Sequence, residues 1–222
     1  MASAIPAAGS RSSRPPQSSA ARAHLLGYNF LSAILWASVL GRVVLLASLV
    51  GWQHVFAGTG EFAKWTQTMA LMEVVHSVFG LVRASIMTTL IQVASRILLV
   101  WPVFTLFPGV VASSPACSTM LVSWSITEVI RYSYFVFVLG RGSVPEWLEW
   151  LRYNTFFVLY PMGISSECWL LFKSADQAAK MNSSLVYGLY AILAIYVPGS
   201  YILYTHMMVQ RKKIMRAKRH TA

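Results

Sequence analysis

Acidic side chains are scarce in this chain: seven Asp and Glu stand against eighteen Lys and Arg, and charged residues of all kinds make up only 11% of 222 positions. A water-soluble domain carries about 25% charged residues, so an ordinary soluble fold is excluded. Cysteine is as thin. Cys117 and Cys168 are the whole supply, which excludes a disulfide framework and a zinc site built from paired Cys-x-x-Cys ligands. A glycine-rich nucleotide loop and a redox motif are also missing, so a reductase built on a bound dinucleotide is not a candidate. No cofactor and no metal is expected.

What the chain has in quantity is apolar surface, at 56% hydrophobic residues and a mean hydropathy of +0.57. The net charge of +11 would suit nucleic acid only on a basic face of a soluble body, which this composition denies. A lipid bilayer is the expected environment, and no nucleic-acid partner is expected. Residues 1–24 hold Ser, Ala, Pro and Arg without one acid, the composition of a disordered basic tail or of an organelle transit peptide. From residue 25 to 208, apolar stretches near the roughly 20 residues that cross a bilayer repeat with short breaks. They run over about 25–50, 67–88, 91–112, 119–140, 153–173 and 184–208, and residues 209–222 form a basic tail. The expected fold is all-α: a polytopic membrane bundle of about six transmembrane helices. With the N-terminus in the cytosol, thirteen of the eighteen basic residues fall on the inner side, and an even number of spans returns the C-terminus there.

Ionisable groups inside such spans cost a few kcal/mol each on insertion scales, about 3 kcal/mol at the helix centre, and therefore mark candidate sites. Glu73, His76, Glu128, Arg131 and Glu167 are these groups. Glu128 and Arg131 stand at i, i+3 and can neutralise each other on one helix. Glu73, His76, Gly80, Arg83 and Met87 follow steps of three and four, which would place a polar stripe on one helix facing its neighbours. In the fifth span Tyr153, Tyr160 and Glu167 recur every seven residues, drifting only about 20° per step around a helix. Gly163 opens space between Tyr160 and Glu167, although small residues also serve plain helix packing. Pro161 is expected to bend the span. Glu167 has no Lys or Arg within a turn on its own helix, and a buried unpaired acid of this kind suits proton transfer.

The runs LMEVVHSVFGLVRASIMTTLIQVASR, WSITEVIRYSYF and LRYNTFFVLYPMGISSE, with the late AIYVPGS, closely resemble the very-long-chain 3-hydroxyacyl-CoA dehydratases, including the plant Pasticcino-type members. The resemblance covers residues 28 to about 213. It implies an endoplasmic-reticulum enzyme that removes water from 3-hydroxyacyl-CoA to give trans-2-enoyl-CoA, the third step of fatty-acid elongation. It also implies association with the condensing enzyme, the ketoacyl-CoA reductase and the enoyl-CoA reductase. The family's catalytic pattern Y-P-x-G-x-x-x-E is intact as Tyr160, Pro161, Gly163 and Glu167. Tyr160 and Glu167 would be the acid and base, in either order. Seven residues span about 10 Å of helix rise, so a bend or a swung Tyr rotamer is required for both to reach adjacent carbons. The anionic CoA group would meet cytosolic Arg83, Arg96 and Arg152, with Tyr153 and Gly163 also facing substrate.

Two other function classes compete. HSVFGLVR, residues 76–83, looks like the tyrosine-phosphatase signature with Ser77 in place of the nucleophilic Cys, which leaves a silent phosphotyrosine-binding scaffold. The buried acids would also suit a proton-coupled transporter.

Overall fold

The computed structural model describes residues 18–82 and 84–221, and among them every regular element is helical. α1 spans Ser19–Leu49, capped by the Ser18 hydroxyl, which accepts from the Ala21 N–H. It begins inside the segment expected to be tail. A short 3-10 turn, Trp52–His54, leads into α2 (Val55–Thr68) and α3 (Leu71–Val78). α4 (Ile86–Leu98) widens at Leu99–Val103 into a π turn around Pro102, which has no N–H to give to the regular ladder. α5 (Phe104–Leu106) and α6 (Pro108–Ala112) are short. α7 (Pro115–Arg141), α8 (Glu146–Asn154), α9 (Phe156–Met181) and α10 (Ser183–Thr221) complete the chain.

The single helix expected over 67–88 does not form. α3 stops at Val78, and Gly80 takes φ +67°, a left-handed conformation that glycine adopts without a Cβ clash. Leu81 N–H then bonds to His76 O at 2.9 Å and Gly80 N–H to Ser77 O at 3.2 Å, the paired bonds of a Schellman termination. The expected stripe is cut with it. Glu73 and His76 lie on α3, Met87 is exposed on α4, and Arg83 lies outside the described residues.

Helices long and apolar enough to cross a membrane number three among the described residues: α1, Ile86–Leu106 and Ser183–Arg216. They become four if α8 and α9, bent by 43° at Thr155, are one span. Six was the expectation. The stop at Gly80 removes one expected span and the polar content of α7 another. α7 has 27 residues, about 40 Å of rise, but carries Glu128 and Arg131 and so fails on composition. The bend attributed to Pro161 also moves, since α9 runs unbroken through that proline and the break precedes it at Thr155.

α7 sits at the centre, with α1 along one side and α9 along another, and α10 packs on the outside of α9. Trp36, Val39 and Val43 of α1, Met120, Leu121 and Trp124 of α7, and Leu170, Leu171 and Ala178 of α9 are all buried in one core. Small residues line the α9 face: Gly163, Ser166, Ser174, Ala175 and Ala178 are buried, and they let the helix approach its neighbours closely. Ser166 Oγ meets Thr119 Oγ1 of α7 at 2.8 Å. The outer surface is apolar as well, with Phe30, Leu45, Phe79, Tyr187, Val197 and Tyr201 at least half exposed. Water penalises such a surface and lipid does not.

Candidate active site

Two polar clusters lie inside the bundle, and Arg96 links them. The larger is a chain of charges. Arg131 Nε–H donates to Glu128 Oε2 at 2.7 Å, as the i, i+3 spacing predicts. Its two terminal nitrogens also form a fork on Glu73 of α3, Nη2 to Oε1 at 2.7 Å and Nη1 to Oε2 at 3.0 Å. Tyr132 Oη–H donates to Glu73 Oε1 at 2.5 Å, and Tyr28 of α1 reaches both Glu73 and Tyr132 at 3.5 Å. The far side of Glu128 takes a short contact from Arg96 of α4. Mutual neutralisation of Glu128 and Arg131 is therefore only part of a four-member array, Arg96–Glu128–Arg131–Glu73, that ties α3, α4 and α7 together. His76, also on α3, stands Nε2 to Nε2 with His24 of α1 at 3.0 Å.

The smaller cluster surrounds Glu167, halfway along α9 and 6% exposed. Trp124 of α7 donates its Nε1–H to Glu167 Oε1 at 2.7 Å. The Arg96 guanidinium lies 4.9 Å from the centre of the Trp124 ring and also acts electrostatically on Glu167. Tyr196 of α10, near the carboxylate, donates its hydroxyl to Ser95 O at 3.3 Å. Four helices thus converge on one acid.

Gly163 lies one turn before Glu167. A Cβ built there would be 3.9 Å from Glu167 Oε1 and 4.0 Å from Trp124 Cδ1, so the glycine leaves a methyl-sized gap beside the carboxylate. Tyr160, half-buried on the same helix, donates its hydroxyl to Ser200 O of α10 at 3.0 Å. Tyr160 and Glu167 share a helix and a side of the bundle, but each is held by a different partner. The helix between them is unbroken.

Toward the start of α9, Arg152 and Tyr153 line a cavity with Glu128, Arg131, Thr127, Phe156 and Met207. Arg152 has aromatic neighbours: its guanidinium lies 4.3 Å from the Tyr134 ring centre and 5.0 Å from that of Phe135. Of the sequence-derived candidates, the structure gathers Gly163 and Glu167 with Arg96 around one centre, and Tyr153, Arg152, Glu128 and Arg131 around the adjoining cavity. Glu73 joins through Arg131, and His76 stands apart on the α1 side. Trp124, Tyr196 and Ser200 were not singled out from sequence. Trp124 and Tyr196 read there as apolar-span aromatics, and the clue available was that all three fall inside the recognisable runs WSITEVIRYSYF and AIYVPGS.

No loop cradles Ser77. It is buried within α3, its hydroxyl spent on Glu73 O at 2.9 Å, which is helix back-bonding and not an anion site.

A family of protein tyrosine phosphatase-like proteins, PTPLA, matches residues 67–217, which include the four-member charge array and the groups around Glu167. The chain belongs to this family. A probable very-long-chain (3R)-3-hydroxyacyl-CoA dehydratase of Schizosaccharomyces pombe is 49% identical over 85% of this chain and 91% of its own length. The dehydratase PASTICCINO 2A of Oryza sativa is 39% identical over 87% of this chain and 93% of its own, and very-long-chain (3R)-3-hydroxyacyl-CoA dehydratase 2 of Homo sapiens is 33% identical over 88% and 82%. No solved structure matches.

Proposed function

We infer that this protein is a very-long-chain (3R)-3-hydroxyacyl-CoA dehydratase, a hydro-lyase of fatty-acid elongation, and that Tyr160 and Glu167 carry its chemistry. The observation that bears most weight is the Glu167 carboxylate, buried in a bundle interior, held by Trp124 on one oxygen and bordered by the gap at Gly163. Dehydration needs a base for one proton on C2 and an acid for the oxygen on C3. Glu167 takes the C2 proton and the C–H electron pair becomes the C2–C3 double bond. The C3–O bond breaks, and the departing oxygen takes the Tyr160 proton to leave as water. Return of the proton from Glu167 to the phenolate restores both groups.

The substrate lies with its anionic CoA end at the Arg152 cavity and its acyl chain running inward past Tyr160 toward Glu167. Arg152 is eight residues before Tyr160, on the other side of the bend at Thr155, and Glu167 is seven beyond it; since C2 is the carbon on the thioester side of C3, Tyr160 swings inward from Ser200 to reach the C3 hydroxyl beside Glu167. Arg96 and Glu128 with Arg131 and Glu73 support this channel as a fixed charge array. Arg83 is assigned to the same cytosolic end on sequence alone.

Six crossings are proposed by counting α2–α3 and α7 beside the four apolar spans. Support comes from the antiparallel ends of α1 and α7: Arg22 Nε–H donates to Leu139 O at 2.6 Å at one end, and Ser118 Oγ–H to Trp52 O at 3.5 Å at the other. Both termini then face the cytosol. Residence in the endoplasmic reticulum and docking with the condensing enzyme and the two reductases of elongation are part of the same proposal. The deciding experiment is Glu167→Gln in detergent-purified protein supplied with a long-chain 3-hydroxyacyl-CoA. Enoyl product should fall about 100- to 10,000-fold, the range for loss of a general base, with an unchanged elution profile. Full activity in a folded Glu167→Gln protein refutes the assignment.

A further inference from the structure

We propose that Trp124 is the positioning residue of the reaction: its indole N–H holds the Glu167 carboxylate by Oε1 and so fixes how that carboxylate is presented at the Gly163 gap. The inference rests on Glu167 as the acting carboxylate and adds a residue that no part of the Y-P-x-G-x-x-x-E pattern contains.

An indole is a donor only and can never accept. Its N–H on Oε1 at 2.7 Å therefore pins the carboxylate from one side and takes up one lone pair of that oxygen. The Trp124 ring is itself held on several sides. Trp36 of α1 meets it edge to face, ring centres 6.5 Å apart at 75°, and the Arg96 guanidinium covers it at 4.9 Å. At 2% exposed, the ring is closely packed. Gly163 leaves its methyl-sized space against both Trp124 Cδ1 and Glu167 Oε1, so the substrate backbone is admitted where the indole and carboxylate are already joined. Arg96 also grips Glu128, so the charge array rests against the ring that holds the acid.

A group that orients a base changes turnover and leaves ground-state binding alone, since misplacement by about 1 Å costs about a hundredfold in rate. The test uses full-length enzyme in detergent with a long-chain 3-hydroxyacyl-CoA. Trp124→Phe removes the N–H and keeps an aromatic ring under Arg96. A second protein carries 3-benzothienylalanine at position 124, in which sulfur replaces the N–H at nearly constant shape, so that packing stays intact should the Phe variant fold poorly. In both, kcat should fall about 10- to 100-fold with KM within about twofold. Against a Glu167→Gln background, Trp124→Phe should lower the residual rate no further. Normal kcat in the benzothienyl protein, alongside an inactive Glu167→Gln, overturns the inference alone and leaves Trp124 as core packing. Parallel losses in kcat and thermal stability in the benzothienyl protein overturn it too. Full activity in Glu167→Gln overturns the assignment of Glu167 itself and the inference with it.

Discussion

Arg131→Met gives the sharpest measure of what the charge array contributes. Methionine keeps most of the length of the side chain and removes three charge-assisted hydrogen bonds, one to Glu128 and a fork to Glu73. Glu128 keeps Arg96, and among the described residues Glu73 keeps only hydroxyl donors, from Tyr132 and Tyr28. Breaking one side of a buried ion pair costs about 3–5 kcal/mol, and because Glu73 is left with no cation the loss belongs in the upper half of that range. At about 2–4 °C per kcal/mol for a chain of this size, the melting temperature in detergent should drop by about 8–20 °C. Adding Glu73→Gln to Arg131→Met relieves the stranded charge while keeping the Tyr132 contact as a neutral hydrogen bond. The double variant should therefore melt above the single one, with a coupling of about 1–2 kcal/mol. Differential scanning fluorimetry on the wild type, both single variants and the double completes the cycle. A single variant that melts within 2 °C of wild type, or a double variant whose loss is the plain sum of its parts, would refute the array as a structural unit; the threshold is about the effect of 1 kcal/mol.

At Gly163→Ala the new methyl meets only ordinary contacts, 3.6 Å from Ser123 Cβ and 3.9 Å from Glu167 Oε1. Stability should hold or rise by about 1 kcal/mol of helix propensity while kcat/KM falls, and a fully active variant would mean that the gap does not hold substrate. Ser77→Ala removes a hydroxyl spent on its own helix, so enoyl-CoA production should stay within about twofold of wild type. Loss of phosphopeptide binding in a protein without dehydratase activity would instead favour the scaffold. Sealed microsomes with the cytosolic face outward should turn over added 3-hydroxyacyl-CoA without detergent, and Arg152→Gln should raise KM more than it lowers kcat. Activity that depends on permeabilising the vesicles would reverse the topology.

Periodicity announced the long elements and hid the pairings. The run at 119–140 became Pro115–Arg141 and the run at 184–208 lies within Ser183–Thr221, because uninterrupted apolar sequence admits little but helix. The break at Gly80 was invisible for a local reason. A glycine within a heptad-like pattern is compatible with a continuous helix, and only the Schellman bonds of His76 and Ser77 to the residues beyond it fix the stop. Glu73 and Arg131 are 58 positions apart, and nothing in either neighbourhood names the other. The same holds for Trp124, 43 positions from Glu167, whose indole reads as bulk until α7 and α9 are laid side by side. The seven-residue spacing from Tyr160 to Glu167 correctly put both on one helix, where Tyr160 donates to Ser200 O and Glu167 accepts from Trp124.

The central position of α7 has a consequence for how the chain is built. Translation delivers residues in order, and both ionic partners of α7, Glu73 and Arg96, are synthesised before it. The helix least able to sit alone in lipid is thus the fourth long segment to arrive, at a point when counter-charges for Glu128 and Arg131 already exist in the nascent protein. Its remaining obligation, the indole of Trp124, is met later by an acid on the following span. Charge is settled backward along the chain and the reactive centre is closed forward, so a ribosome paused after Arg141 would hold an electrically complete but chemically idle half.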